Sequence, residues 1–126
     1  LLQAALKRRP TDTQTQLELA EELWSSGRQL AAADVVAKIV AERPDDAGAA
    51  LRLAKMEYEI GRTAAAESAL RLAMLHDPEN PDALRLKAEM AQKRGDADAA
   101  LATYLRLAQI VPDDLDAQLA MATIYI

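Results

Sequence analysis

Residues 61–80 read GRTAAAESALRLAMLHDPEN, a stretch that opens with a glycine, continues through an alanine-rich segment and closes with a proline and an asparagine. The glycine recurs at a fixed interval, because Gly27, Gly61 and Gly95 are each 34 residues apart. The same interval separates the members of three further series: Pro10, Pro44, Pro78 and Pro112; Ala20, Ala54, Ala88 and Ala122; Ala32, Ala66 and Ala100. A fixed period of this length indicates an array of repeated structural units.

The composition favours closely packed helices. The 126 residues contain no phenylalanine, aromatic residues make up 3% of the chain, and alanine and leucine dominate. Alanine and leucine are strong helix formers, whereas sheets are enriched in β-branched and aromatic residues. We therefore predict an all-α fold in which each unit packs only on its neighbours.

The charge and the cysteine count narrow the classes of partner. The formal net charge is −5, and acidic and basic residues are interspersed, so no concentrated basic surface is available for phosphates and we expect no nucleic-acid partner. The chain has no cysteine, which excludes disulfides and thiolate chemistry. No apolar run approaches the roughly 20 residues that a membrane-spanning helix needs, so we predict no direct membrane insertion by this segment.

Prolines and glycines divide the chain into predicted helices. Each proline of the 34-residue series stops a helix, and a polar side chain that follows can cap the next one: Thr11 or Asp12, then Asp46, Asn80 and Asp114. The predicted helices cover about residues 1–9, 13–26, 29–42, 47–60, 63–76, 81–94 and 97–110, and a last one begins near residue 115. For the helix at 29–42, the predicted apolar stripe consists of Leu30, Ala33, Val36, Ala37 and Val40.

These series resemble the tetratricopeptide repeat, a 34-residue helix-turn-helix unit with small residues, glycine and proline at set positions. In that family's register the repeats begin at Thr13, Ala47, Pro81 and Leu115. The resemblance implies a right-handed superhelical solenoid of antiparallel helix-turn-helix units, a single array with repeats at residues 13–46, 47–80 and 81–114. Residues 1–10 are then the end of a preceding repeat and residues 115–126 the first helix of a truncated one. We expect further repeats on both sides.

Three positions depart from the family pattern. The fourth position, where the family usually has a large aromatic residue, is occupied by Gln16, Ala50, Leu84 and Gln118. The seventh position of the third repeat is Lys87, and the eleventh position of the second repeat is Glu57, where an apolar residue is usual. These departures predict side chains that face outward or pack loosely.

The resemblance also implies where a partner would bind, since the first helix of each family hairpin lines a concave groove. By register, with Arg52 at the groove edge, the candidate partner-binding residues are Leu17, Glu21, Trp24, Leu51, Arg52, Lys55, Tyr58, Arg85, Glu89 and Gln92. Glu59 and Lys93 occupy further groove positions. Trp24 and Tyr58 share one position in successive repeats, so their rings are candidate anchors for a peptide or protein surface. The alternative is that both rings pack against neighbouring helices.

The sequence offers no recognisable catalytic or cofactor-binding arrangement. A subset of the family holds chaperone carboxylates in a clamp of lysine, asparagine and arginine, and the corresponding positions here do not carry it. His76, the single histidine, has no second histidine or cysteine to share a metal, and its place near a helix end has a structural reason. Acidic pairs such as Asp45 and Asp46 are more simply helix caps. We predict no enzyme activity, no metal and no cofactor.

The sequence therefore predicts a non-enzymatic interaction scaffold, a segment of a longer solenoid that recruits a partner protein or peptide. The alternative is a structural spacer or a self-association module that acts through uncapped ends. The alanine-rich, arginine-over-lysine composition resembles proteins of GC-rich bacteria, in which such arrays serve envelope machines, including exopolysaccharide export. That analogy favours the bacterial periplasm, with the cytoplasm as the alternative.

Overall fold

The computed structural model describes residues 13–125, the side chains of the last two excepted, and this part of the chain contains helices and no strand. The helices are α1 (Thr13–Ser25), α2 (Gln29–Glu42), α3 (Ala47–Ile60), α4 (Thr63–His76), α5 (Pro81–Lys93), α6 (Ala97–Ile110) and α7 (Leu115–Tyr125). The predicted boundaries for these helices are confirmed to within one residue. The helix predicted at residues 1–9 and the caps Thr11 and Asp12 lie outside the described residues.

The helices fall into two compact units, the first extending to His76 and the second beginning at Asp77. In the first unit α1 packs on α2, α2 on α3 and α3 on α4. In the second unit α5 packs on α6 and α6 on α7. Each unit therefore contains the helical hairpins that the 34-residue period predicts, joined by turns of a few residues.

The alanines of the two 34-residue series are mostly buried, as the sequence predicts for residues between closely packed helices. The members that lie between packed helices are fully buried: Ala20, Ala54 and Ala88 of the first series, and Ala32, Ala66 and Ala100 of the second. Larger buried side chains, chiefly Ile39, Val36 and Leu107, fill the remaining interior. Ala122 departs from its series because it is exposed on α7.

The predicted caps hold the helix starts. The side chain of Asp46 accepts a hydrogen bond from the amide of Ala49, and the side chain of Asn80 accepts from the amides of Asp82 and Ala83. Asp114 accepts from the amide of Ala117. The structure adds a cap that the sequence interpretation missed, since Asp96 accepts from the amide of Ala99 at the start of α6.

Gly61 ends α3 in the left-handed region, with φ of 101°, and its amide donates to the carbonyls of Glu57 and Tyr58. An added Cβ would meet no atom within 4 Å. We therefore expect Gly61→Ala to lower the free energy of unfolding by about 1–2 kcal/mol through backbone strain alone. Gly48→Ala, inside the first turn of α3, is the matched control and should be neutral or stabilising by up to about 1 kcal/mol. Urea unfolding followed by Trp24 fluorescence gives the stability of both variants. Equal effects of the two substitutions would contradict the left-handed conformation of Gly61.

The residues that depart from the family pattern differ in burial. Lys87 and Gln118 are exposed, as predicted. The prediction is wrong for Ala50 and Leu84, which are buried because a smaller apolar side chain fills the same interhelical position. It is also wrong for Glu57, whose buried carboxylate is held by Arg62. Gln16 is half-buried.

Candidate functional site

An open recess of about 360 Å³ lies between α1 and α3 in the first unit. It is lined by Glu21, Trp24, Ser25, Arg52, Lys55, Met56 and Glu59. The lining residues of α1 are about one turn apart, as are those of α3, so each helix presents one stripe to the recess. Four of the predicted partner-binding residues, Glu21, Trp24, Arg52 and Lys55, are thus brought together.

Trp24 and Met56 give the recess its apolar surface. Trp24 is half-buried and Met56 is buried. A partly accessible indole next to a thioether offers apolar area together with an N–H that can donate a hydrogen bond. An apolar side chain of a partner that contacted both groups would be removed from water, which favours binding.

The charges that line the recess balance one another. Arg52 and Lys55 of α3 are basic, whereas Glu21 of α1 and Glu59 of α3 are acidic. Arg52 Nη1 donates to Glu21 Oε1 at 2.6 Å, and this ion pair connects two helices that belong to different hairpins. The side chains of Arg52 and Glu21 are 39% and 63% exposed, so water screens the pair.

Glu59, a further predicted groove residue, also lines the recess, whereas Leu17, Leu51 and Tyr58 lie outside its lining. Leu17 and Tyr58 are half-buried. Leu51 is buried in the unit and is not one of the residues that line the recess. Trp24 and Tyr58 share a register position, but Tyr58 does not line this recess.

Arg85, Glu89 and Gln92 belong to α5 in the second unit. Arg85 pairs with Asp82 through Nη1 at 2.9 Å and with the buried Asp114 through Nη2. The Tyr104 hydroxyl donates to Gln92 Oε1 at 3.3 Å. Burial raises the pKa of Tyr104, and the nearby carboxylates of Glu89 and Asp116 raise it further. Arg85 is therefore engaged in holding Asp114, while Glu89 and Gln92 are exposed.

The pKa of Asp114 lies below its ordinary value, first because Arg85 donates to it and then because the amide of Ala117 does so. A carboxyl whose pKa is lowered by folding stabilises the fold above its unfolded pKa of about 3.9, and this stabilisation is lost as pH falls through the folded pKa. Asp114→Asn keeps a capping side chain but removes the charge. We expect this variant to melt several degrees below the wild type at neutral pH and to approach it in acid.

Thermal unfolding followed by circular dichroism across that pH range measures the difference. Asp113→Asn is the matched control, because Asp113 is exposed next to Asp114 in the sequence. An Asp113 variant that lost as much stability as the Asp114 variant would show that general charge removal, not the Arg85 contact, is responsible.

The described residues contain no group of three or more side chains arranged to bind a metal ion. His76 is exposed at the end of α4. Within the same part of the chain, no helix has the length and apolar character that crossing a membrane requires.

Sequence reasoning missed two residues of the recess. Ser25 occupies the same register position as Glu59, so the family spacing could have identified it. Met56 follows Lys55 at a position that the family register does not assign to the groove, and its buried side chain also borders the recess. Only the approach of α3 to α1 shows the second role.

A family model described as tetratricopeptide repeat matches residues 23–90, which is more than half of the chain. The chain belongs to the tetratricopeptide repeat family. The matched region contains Trp24 and every residue of the α3 side of the recess. No curated protein matches the sequence significantly.

Solved structures show the same fold. MamA is 23% identical, with 98% of this chain and 72% of that chain covered and a TM-score of 0.87. The type III secretion chaperone SycD of Yersinia enterocolitica, in complex with a peptide of the translocator YopD, is 15% identical with 89% and 91% covered and a TM-score of 0.80. The first repeat domain of Spaghetti (RPAP3), bound to an HSP90 peptide, is 18% identical with 87% and 89% covered and a TM-score of 0.77. These likenesses confirm the predicted tetratricopeptide-repeat fold.

Proposed function

We propose that this chain is a non-enzymatic protein-interaction scaffold, a tetratricopeptide-repeat array that recruits a partner protein through the recess between α1 and α3. The observation that carries the proposal is the convergence of Trp24, Met56 and the Glu21–Arg52 pair on one open recess. Two structurally similar proteins, SycD and RPAP3, hold peptides, which supports a peptide or an exposed protein segment as the class of partner.

The arrangement suits binding because its side chains are displayed on two packed helices. A preformed surface loses little conformational freedom on association, so more of the contact energy appears as affinity. Tryptophan is enriched among the residues that dominate binding energy at interfaces. Trp24 is accordingly the proposed anchor of the interaction.

The experiment is a selection of short random displayed peptides on the full 126-residue chain, followed by affinity measurements with the selected peptides. Trp24→Ala is expected to weaken binding by about tenfold or more, the range for an interface anchor. Leu30→Ala is the control, because Leu30 is an exposed apolar residue of the first unit outside the recess lining. Unchanged affinity in a folded but destabilised Trp24 variant would show that the ring serves packing alone.

The composition supports a narrower setting for this scaffold, a bacterial envelope machine that exports exopolysaccharide, with the periplasm as its compartment. In that setting, the protein would hold a modifying enzyme or another partner through the repeat array. Affinity capture on the full-length parent, followed by identification of the bound proteins, tests this setting. Capture of only cytoplasmic proteins would contradict it.

A structural spacer or self-association module is the second candidate. The observation that favours it is the pair of exposed leucines on α7, Leu115 and Leu119, which lie one turn apart. Sedimentation velocity of the chain separates the two functions. A chain that forms oligomers and selects no peptide would support the structural module.

A further inference from the structure

Arg52, which lines the recess, differs from Arg62 and Arg85 in how exposed its carboxylate partner is. Arg62 and Arg85 hold the carboxylates of Glu57 and Asp114, whose side chains are 6% and 4% exposed. Both arginines are therefore needed by the fold, because removing either one would leave a buried carboxylate without its ion-pair partner. The partner of Arg52 is the exposed Glu21, which water can solvate as soon as the pair opens.

The pair with Glu21 uses only part of the guanidinium. Within the described part of the chain, Arg52 binds Glu21 through Nη1 alone, and its side chain is 39% exposed. A guanidinium carries five N–H donors in a planar fork that can bind a carboxylate at two points. Since an exposed pair contributes only about 0–1 kcal/mol, an incoming carboxylate can replace Glu21 at little cost.

We infer that the recess recognises a partner segment in which one acidic side chain lies next to an apolar one. The apolar side chain packs on Trp24 and Met56, and the acidic side chain exchanges with Glu21 on Arg52. Lys55, about one turn along α3, adds positive potential on the same wall. Glu21 and Glu59 also border the recess, so a single acidic residue fits it better than a run of acidic residues.

This inference rests on the proposed function, and the peptide selection described above tests the two separately. We expect the selected peptides to be enriched in an apolar residue adjacent to aspartate or glutamate. A selection that yields no peptide would overturn both the proposed function and the inference. Peptides that depend on Trp24 but show no acidic enrichment would overturn the inference alone.

Two substitutions with opposite expected signs sharpen the test. Arg52→Gln should weaken binding of an acid-containing peptide by about threefold to tenfold, whereas Glu21→Gln should strengthen it by about twofold to fivefold because the competing carboxylate is gone. Lys38→Gln controls for net charge, because Lys38 is an exposed lysine of α2 that lies outside the recess lining.

A peptide whose acidic residue is replaced by its amide should lose the response to both substitutions. If Arg52→Gln and Glu21→Gln weaken binding alike, the pair supports the recess structurally and the exchange is refuted. Equal affinity of all three variants and the wild type would refute it as well.

Discussion

Replacement of Leu107 by alanine is expected to lower the free energy of unfolding by about 2–5 kcal/mol, the range for a fully buried leucine. Leu107 lies in α6, is 0% exposed and belongs to the unit formed by α5, α6 and α7. Removing its side chain forfeits apolar burial and leaves a cavity in the unit. Few other side chains of this size are equally buried, so few substitutions of this kind should cost as much.

Leu105→Ala is the matched control, because Leu105 lies on the same helix and is 45% exposed. It should cost less than about 1 kcal/mol. Urea unfolding followed by circular dichroism gives both values. Comparable losses for the two variants would mean that the orientation of α6 is not the one described.

The helix positions could be predicted from the sequence because they are encoded locally. A proline stops a helix and a glycine such as Gly61 supplies the left-handed residue that ends one, whatever packs around them. Asp46, Asn80 and Asp114 could be assigned as caps for the same reason, since a cap bonds amides only two or three residues away. The repeat period and register that the sequence indicates therefore agree with the helix positions in the structure.

The facing of α2 could not be predicted in full. Leu30 and Ala37, assigned to the apolar stripe, are exposed, while Ile39, outside that stripe, is buried. α2 packs on both α1 and α3, and apolar residues occur nearly all round it, so the periodicity does not select one face. The neighbouring helices decide which leucine or isoleucine is covered.

The candidate site likewise has some features that could be predicted from the sequence and others that could not. The family register places Glu21, Trp24, Arg52 and Lys55 in one region, and the structure brings them to one recess. Register alone does not reveal that Leu51 is buried or that Arg52 reaches Glu21, because both depend on the distance between hairpins. The burial of Glu57 likewise depends on Arg62, which follows the turn at Gly61.

Arg62→Ala is expected to lower the free energy of unfolding by about 1–3 kcal/mol, because it leaves the carboxylate of Glu57 buried without its partner. Arg62 Nη2 donates to Glu57 Oε1 at 2.9 Å, and Nε lies 2.7 Å from Oε2. The two ends differ in exposure: the Glu57 side chain is 6% exposed and that of Arg62 is 44% exposed. Removing the arginine therefore costs more than removing the glutamate, whose partner can turn to water.

A double-mutant cycle with Glu57→Leu separates the ion pair from the packing. Leucine restores the apolar residue that the family usually has at this position, so Glu57→Leu should stay within about 1 kcal/mol of the wild type. In the leucine background, Arg62→Ala should cost less than about 0.5 kcal/mol, as should Arg71→Ala, which removes an exposed arginine of α4. Urea unfolding followed by Trp24 fluorescence gives the four free energies of the cycle. An undiminished cost of Arg62→Ala in the Glu57→Leu background would refute the buried-charge explanation, since no carboxylate would then be left without a partner.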